Sequence, residues 1–116
     1  MNLPSEAELM RVYIAEGDKW EGRPLYEGIV KEARKRGLAG ATVLRGVMGF
    51  GADSRMHSAK ILRLSEDLPL VVEIIDTPDH LDAWLPDLDR MVKDGLITRE
   101  KVQVALYRHK PSAPAL

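Results

Sequence analysis

The strongest constraint on the fold is an apolar run from Leu70 to Ile75, which follows Pro69 and is interrupted only by Glu73. A run of this length predicts a central β-strand that is covered on both faces. It is far shorter than the roughly 18 apolar residues of a membrane-spanning helix. The rest of the chain must therefore supply neighbouring strands and covering layers for this strand.

Two segments with helical periodicity flank the apolar run. The first predicted helix begins at Pro24, whose missing N–H does no harm in a first turn, and ends at Gly37. The second begins at Thr77-Pro78, where Thr77 is the expected N-cap, and ends at Gly95. Pro86 lies within its apolar stripe, which continues in phase, so the pattern predicts one kinked helix rather than two.

Alternating and β-branched residues predict three more strands, at 9–14, 41–47 and 102–107. Residues 48–59 show no clean period and are predicted to form a long mobile loop, and a short extended stretch follows at 61–64. The resulting order β-α-β-β-α-β predicts an α+β, ferredoxin-like fold. In that fold two helices cover one face of a four-stranded antiparallel sheet.

The second face of this sheet has no covering layer in a single chain. The residues predicted to lie on it are Leu9, Arg11, Tyr13, Val71, Glu73, Ile75, Gln103, Ala105 and Tyr107. Several of them are apolar, and an exposed apolar patch usually marks an interface. This favours an oligomer whose sheets pack together. The alternative is that the alternation of one strand is misassigned and the face is simply mixed.

Charge and composition exclude several classes of protein. The chain of 116 residues has 17 basic and 18 acidic side chains, a formal charge of −1 and no cysteine. The balance argues against nucleic acid as the main partner, and the lack of cysteine excludes a disulfide framework and a thiolate metal site. No membrane insertion and no secretory signal are predicted, so a cytoplasmic location is expected. The length suits one domain, expected at 8–108, between a flexible N-terminus at 1–7 and a disordered tail at 109–116.

No catalytic or metal constellation is evident. The three histidines have no ligand spacing, and none of the serines lies in a nucleophile-elbow pattern. The most informative stretch is instead Arg45 to Arg63, which combines several glycines with four basic residues and the single acid Asp53. Such a stretch could bind an anionic ligand or an acidic partner surface. On spacing alone, a flexible hairpin with solvated charges is the favoured interpretation.

Four segments in order, residues 16–26, 37–43, 45–51 and 64–69, resemble the signatures of the family called domain of unknown function 190 (DUF190). The resemblance covers about residues 8–108. That family is similar to the PII signal-transduction proteins. It implies a non-catalytic, PII-like regulator with a ferredoxin-like subunit, typically a homotrimer whose sheets face a central axis. It also implies a small effector, often an adenine nucleotide, bound in clefts between subunits, with no metal.

The resemblance also suggests which residues act. The implied ligand-binding residues are Arg45, Gly46, Gly49, Gly51 and Arg55, together with Gly95 and Lys101, which would come from the corresponding turn of a neighbouring subunit. The loop at about 47–60 would dock onto a target protein such as a membrane transporter or an enzyme, and its implied contact residues are Phe50, Ser54, His57 and Lys60.

Two departures from the PII pattern change what is expected. In the predicted turn Gly95–Lys101 only the end residues match, because the intervening glycines are absent, which favours a smaller or less charged ligand than a triphosphate. The segment 48–60 contains no tyrosine, so uridylylation is not expected.

Two functions from other classes remain open on the sequence. One is a small ferredoxin-like enzyme in which Arg55 holds an anionic substrate and His57 acts as acid or base. The other is an adaptor that binds only protein.

Overall fold

The structure, a computed structural model, describes residues 3–51, 56–58 and 67–110. The elements in chain order are β1 (Glu6–Ala15), β2 (Lys19–Trp20), β3 (Arg23–Pro24), α1 (Leu25–Lys35), β4 (Gly40–Arg45), β5 (Met48–Gly49), β6 (His57–Ser58), β7 (Pro69–Asp76), α2 (Pro78–Met91) and β8 (Leu96–Gln103). Strands β4, β7, β1 and β8 form one antiparallel sheet in that order. The α+β, ferredoxin-like prediction is confirmed.

The core lies between the sheet and the two helices. Alternate residues of the central strands, such as Met10, Val12 and Ile74, have no solvent exposure. They pack against the apolar stripes of the helices, where Ile29 and Trp84 are also fully buried. Both helices therefore cover the same face of the sheet, as the periodicities predict.

The helix ends follow local signals. Arg36 is the C-cap of α1, and Gly37 follows it with a φ of +70°, in the left-handed region that glycine adopts without strain. Thr77 is the N-cap of α2, and its hydroxyl accepts a hydrogen bond from the His80 N–H. The second helix is continuous through Pro86, but it ends at Met91 rather than at the predicted Gly95.

The opposite face of the sheet, which we call the open face, carries the other alternate residues. Leu9, Tyr13, Val71 and Ile75 lie there in register across β1 and β7. Arg11 lies at the centre of the face and forms ion pairs with Glu73, at 3.0 Å, and with Glu100. Hydrogen bonds to Glu100 and Glu73 raise the pKa of Arg11.

The predicted last strand is wrong in both place and parity. Strand β8 spans Leu96–Gln103, not 102–107, and it begins opposite Tyr13 of β1. Gln103 pairs with Glu6 on the helix side, while Ala105 and Tyr107 lie beyond the strand. The residues of β8 that face outward with Leu9 are Leu96, Thr98, Glu100 and Val102.

The prediction failed because β8 is stabilised by contacts with other elements and lacks a clear alternation of apolar and polar residues of its own. Arg99 lies between Glu8, at 2.6 Å, and Asp82, at 2.5 Å. These ion pairs and the backbone ladder to β1 place a polar sequence in a strand, which its own pattern does not predict.

Part of the predicted loop is ordered as a small ladder. Strands β5 and β6 pair within 48–58, with Met48 opposite Ser58. The predicted extended stretch at 61–64 lies outside the described residues, and the assignment of 8–108 as the domain stays a prediction. Within the described ranges, no helix has both the length and the apolar character needed to cross a membrane.

Candidate functional site

A cavity of about 580 Å³ lies at one end of the sheet, where β1 ends and where β7 and β8 begin. The segment that contains β5 forms its other wall. The lining residues are Tyr13, Ile14, Ala15, Asp18, Gly46, Met48, Gly49, Phe50, Gly51, Pro69, Leu70, Val71, Asp94, Gly95 and Leu96. The volume lies within the range of about 300–1,000 Å³ that is typical of small-molecule sites.

Two glycines allow the walls of this cavity to approach each other. A Cβ atom on Gly95 would lie 2.5 Å from the Tyr13 carbonyl oxygen, so only glycine fits where the chain enters β8. A Cβ atom on Gly46 would lie 3.0 Å from the Pro69 ring, and the Gly46 N–H donates to the Pro69 carbonyl at 2.7 Å. The close approach of backbone to backbone therefore shapes the cavity.

The walls are mainly apolar, with an aromatic ring on each side. Phe50 is 67% exposed and Tyr13 is 37% exposed, so both rings are available to a ligand. Two carboxylates complete the lining. Asp18 is anchored, because its Oδ2 accepts a hydrogen bond from the Ala15 N–H at 3.0 Å, whereas Asp94 is exposed. The cavity thus presents flat apolar surfaces together with hydrogen-bond acceptors.

The structure brings together only part of the predicted ligand-binding set. Gly46, Gly49, Gly51 and Gly95 all line the cavity. Arg45 is the residue before Gly46, but its guanidinium is paired with the Glu16 carboxylate.

Lys101 is separated from the cavity. It lies within β8, opposite Glu8, and not in a turn. It follows Leu96 by five positions along the extended strand, which corresponds to roughly 17 Å. Its predicted place beside Gly95 in a turn is therefore corrected, because the whole segment is paired with β1.

The predicted contact residues of the loop are described only in part. Phe50 lines the cavity and is largely exposed. The backbone of His57 pairs with Gly49 in the β5–β6 ladder. Ser54, Arg55 and Lys60 lie outside the described residues.

Sequence reasoning missed a second polar cluster, at the opposite end of β7. Asp76 is 1% exposed and accepts hydrogen bonds from the Ala39 N–H at 2.8 Å and from the Thr77 N–H at 2.6 Å. The His80 Nδ1 lies 2.5 Å from the same carboxylate. The cluster ties the end of β7 to the start of α2 and to the turn before β4.

These contacts determine the charge state of Asp76. Burial raises the pKa of this carboxyl, but hydrogen bonds from Thr77, His80 and Ala39 lower it by more than burial raises it. The pKa of Asp76 is therefore below its ordinary value. The carboxylate is thus held ionised within the fold. Only the position of an aspartate directly before the N-cap Thr77 could have indicated this role from sequence.

No metal site accompanies these features in the described part of the chain. Neither the cavity nor the Asp76 cluster contains a group of three or more His, Asp or Glu side chains arranged to hold an ion.

Comparison with solved structures identifies the class of fold. The structure of CPII, a nitrogen regulatory PII-like protein from Thiomonas intermedia K12 bound to ADP, AMP and bicarbonate, matches with a TM-score of 0.62. The match covers 87% of this chain and 90% of that one at 13% identity. A second structure of CPII, bound to ADP and bicarbonate, matches with a TM-score of 0.58 at 14% identity over 89% of this chain and 95% of that one. The fold is therefore that of a PII-like protein.

The sequence comparisons identify the family. The DUF190 family model, described as "Uncharacterized ACR", matches residues 7–104, so the chain belongs to the DUF190 family. A UPF0166 protein of Aquifex aeolicus is 37% identical over 97 residues, which is 84% of this chain and 91% of that protein. A UPF0166 protein of Methanocaldococcus jannaschii is 37% identical over 93 residues, covering 79% and 85% of the two chains. The resemblance noted in the sequence is confirmed.

Proposed function

We propose that this chain is a non-catalytic, PII-like regulatory protein that binds an adenine nucleotide in the cavity at the end of its sheet. The observation that carries the proposal is the cavity itself. It gathers Gly46, Gly49 and Gly51, three of the residues that the family resemblance implies for ligand binding, together with Gly95 of the same chain. The adenine nucleotides in the structures of CPII, which shares the fold, support the choice of effector.

The chemistry of the lining suits a nucleotide base. Aromatic rings stack on the flat face of a heterocycle, and Tyr13 and Phe50 offer two such rings across the cavity. Carboxylates accept hydrogen bonds from amino and hydroxyl groups, and Asp18 and Asp94 are placed to do so. Pro69, Leu70 and Leu96 supply apolar surface that would exclude water from the bound base.

The open face supports a homotrimer that packs through its sheets. Leu9, Val71 and Ile75 are only half-buried in one chain, and Leu44 at the edge is 48% exposed. Burial of these side chains against other copies would remove apolar surface from water. The cavity borders this face through Tyr13 and Leu96, so a neighbouring subunit would complete the binding cleft.

The 47–60 loop is the proposed contact with a target protein, such as a membrane transporter or an enzyme in the cytoplasm. Val47 is 77% exposed, and Phe50 is 67% exposed although it also lines the cavity. A ligand in the cavity would contact Phe50 and Gly51 directly, so occupancy of the site would change the surface that the loop presents.

The test is thermal unfolding of the purified protein with ATP, ADP, AMP and cyclic nucleotides. A ligand at 100 times its dissociation constant stabilises the native state by about 2.7 kcal/mol. If none of these nucleotides raises the melting temperature, the nucleotide proposal is wrong.

A pair of leucine substitutions locates the site. A Cβ atom at Gly51 meets no atom within 4 Å, so Gly51→Leu should fold and fill part of the cavity, abolishing the shift. Ala83→Leu adds the same side chain on the exposed side of α2 and should keep the shift. Equal shifts in both variants would place the ligand elsewhere.

A further inference from the structure

The open face of the sheet carries a pattern of polar and apolar rows that the proposed homotrimer does not by itself explain. We infer that the polar row at the centre of this face lies inside the interface between copies of this chain, and that it restricts the face to other copies in one alignment. This inference rests on the proposed function, because it concerns the face through which the trimer would pack. It names the residues that decide which partner the face accepts.

Residues in register across the four strands form rows that run across the open face. The central row is polar throughout, and we call it the polar row: Thr42, Glu73, Arg11 and Thr98. The next row, on the cavity side, is apolar throughout, and we call it the apolar row: Leu44, Val71, Tyr13 and Leu96. The row on the other side is mixed: Gly40, Ile75, Leu9 and Glu100. The polar row therefore has apolar side chains on both sides.

Ion pairs hold the centre of the polar row together within one chain. The Arg11 Nε donates to the Glu73 Oε2 at 3.0 Å, and the Arg11 Nη1 donates to Glu100 in the mixed row. The side chains of Arg11, Glu73 and Glu100 are 31%, 29% and 53% exposed, so solvent reaches these pairs in a single chain. Ion pairs at such a surface add little to the stability of a chain. Their effect becomes large only where another surface covers them.

A second copy of this chain is the partner that suits these charges. A partner that offers only apolar surface would remove the charges from water without supplying donors or acceptors, which costs free energy. A copy presents the Arg11 guanidinium and the Glu73 and Glu100 carboxylates together, so it offers both signs of charge. Charge complementarity therefore favours a copy of this chain over another apolar surface.

The rows also restrict how two copies can align. Neighbouring rows are two residues apart, which is roughly 7 Å along a strand. A shift of one copy by that distance would set its Arg11 and Glu73 against the apolar row of the other copy. An apolar face alone would tolerate such a shift, whereas the polar row penalises it.

The first experiment is analytical ultracentrifugation of the whole protein over a range of concentrations. It gives the concentration at which half of the chains are assembled. Arg11→Met leaves Glu73 and Glu100 without their shared cation. If the assembly covers these carboxylates, the half-assembly concentration should rise at least about a hundredfold, because unpaired charges are then buried.

Arg99→Met is the matched control. Arg99 is also held between two carboxylates, those of Glu8 and Asp82, but on the helix side of the same sheet. Loss of these pairs affects the single chain and the assembly alike. The half-assembly concentration should therefore change less than about fivefold.

A second measurement does not depend on removing a charge. The chain has no cysteine, so Thr42→Cys places a single thiol on the polar row, at a position that is exposed in one chain. Alkylation of this thiol should be fast in dilute protein and slow in the assembly, because thiol reactivity depends on access. Ala83→Cys, on the exposed side of α2, should react at the same rate in both.

The outcomes separate this inference from the trimer itself. Equal effects of Arg11→Met and Arg99→Met on assembly, or equal alkylation of Thr42→Cys in dilute and assembled protein, would overturn the inference and leave the trimer standing. A wild-type protein that stays a single chain at every concentration would overturn both.

Discussion

Gly95 offers the sharpest test of the geometry of the cavity. In Gly95→Ala the new Cβ atom would lie 2.5 Å from the Tyr13 carbonyl oxygen, 3.0 Å from the Val92 Cγ1 and 3.3 Å from the Ile14 Cγ2. Favourable contact between such atoms needs roughly 3.5 Å, and the nearest of the three is backbone that cannot rotate away. The chain must therefore separate where β8 leaves β1. Overpacking of this kind lowers the free energy of unfolding by about 1–3 kcal/mol.

Urea unfolding followed by circular dichroism measures this effect. A loss of about 2 kcal/mol shifts the midpoint by roughly 1 M, and all variants must be compared at one protein concentration because assembly contributes to stability. Gly51→Ala is the control, since its Cβ atom meets nothing within 4 Å, and it should change stability by less than about 0.5 kcal/mol. If Gly95→Ala is as stable as Gly51→Ala, the close approach of β8 to Tyr13 does not exist as described.

Three further predictions concern the rest of the fold. Asp76→Asn should lower stability by about 2 kcal/mol at pH 7, because buried backbone donors lose an ionised acceptor. The pKa of Asp76 is lowered in the fold, so the ionised carboxylate contributes its full stabilisation above about pH 4. That stabilisation is lost as the pH falls through the pKa of Asp76 in the folded protein. The melting temperatures of wild type and variant should therefore converge in acid. A constant difference across that range would contradict this. Tyr107→Phe should cost about 1 kcal/mol in a urea titration, because the hydroxyl donates to the Ala39 carbonyl at 2.8 Å, and an unchanged midpoint would count against that bond. Leu44→Glu should shift the proposed trimer to a smaller species in light scattering. Val47→Glu, at an exposed residue beyond the paired part of β4, should not. Equal masses of the two variants would exclude packing through the open face.

Sequence periodicity was sufficient for most of the scaffold because those elements carry their own signals. The apolar stripe and the Thr77-Pro78 start predicted α2, and the apolar run predicted β7. The prediction of strand β8 failed because its polar residues, among them Arg99 and Glu100, are stabilised in the sheet by charged partners on other elements. No local pattern contains that information.

The candidate site was predictable only where backbone geometry, rather than charge, defines it. Glycines at 46, 49, 51 and 95 line one cavity, and the family signature at 45–51 contains the first three. The two aspartates of the cavity were not found, because each looks like an ordinary turn residue until the fold brings it to the same wall. Within the chain, the Arg45 guanidinium is paired with Glu16 and Lys101 lies in β8 opposite Glu8, positions that the charges of these residues did not indicate.

The position of β1 in the sheet has a consequence for how this chain is made. Its two neighbours are β7 and β8, so the ion pair of Arg11 with Glu100 spans 89 residues of sequence. A ribosome that has released β1 must still synthesise α1 and β4 before β7 emerges, and α2 as well before β8 does. The first strand to emerge is thus among the last to be paired, and its backbone groups stay open to other chains until then. We expect slow folding, and a nascent chain that depends on early protection of residues 6–15.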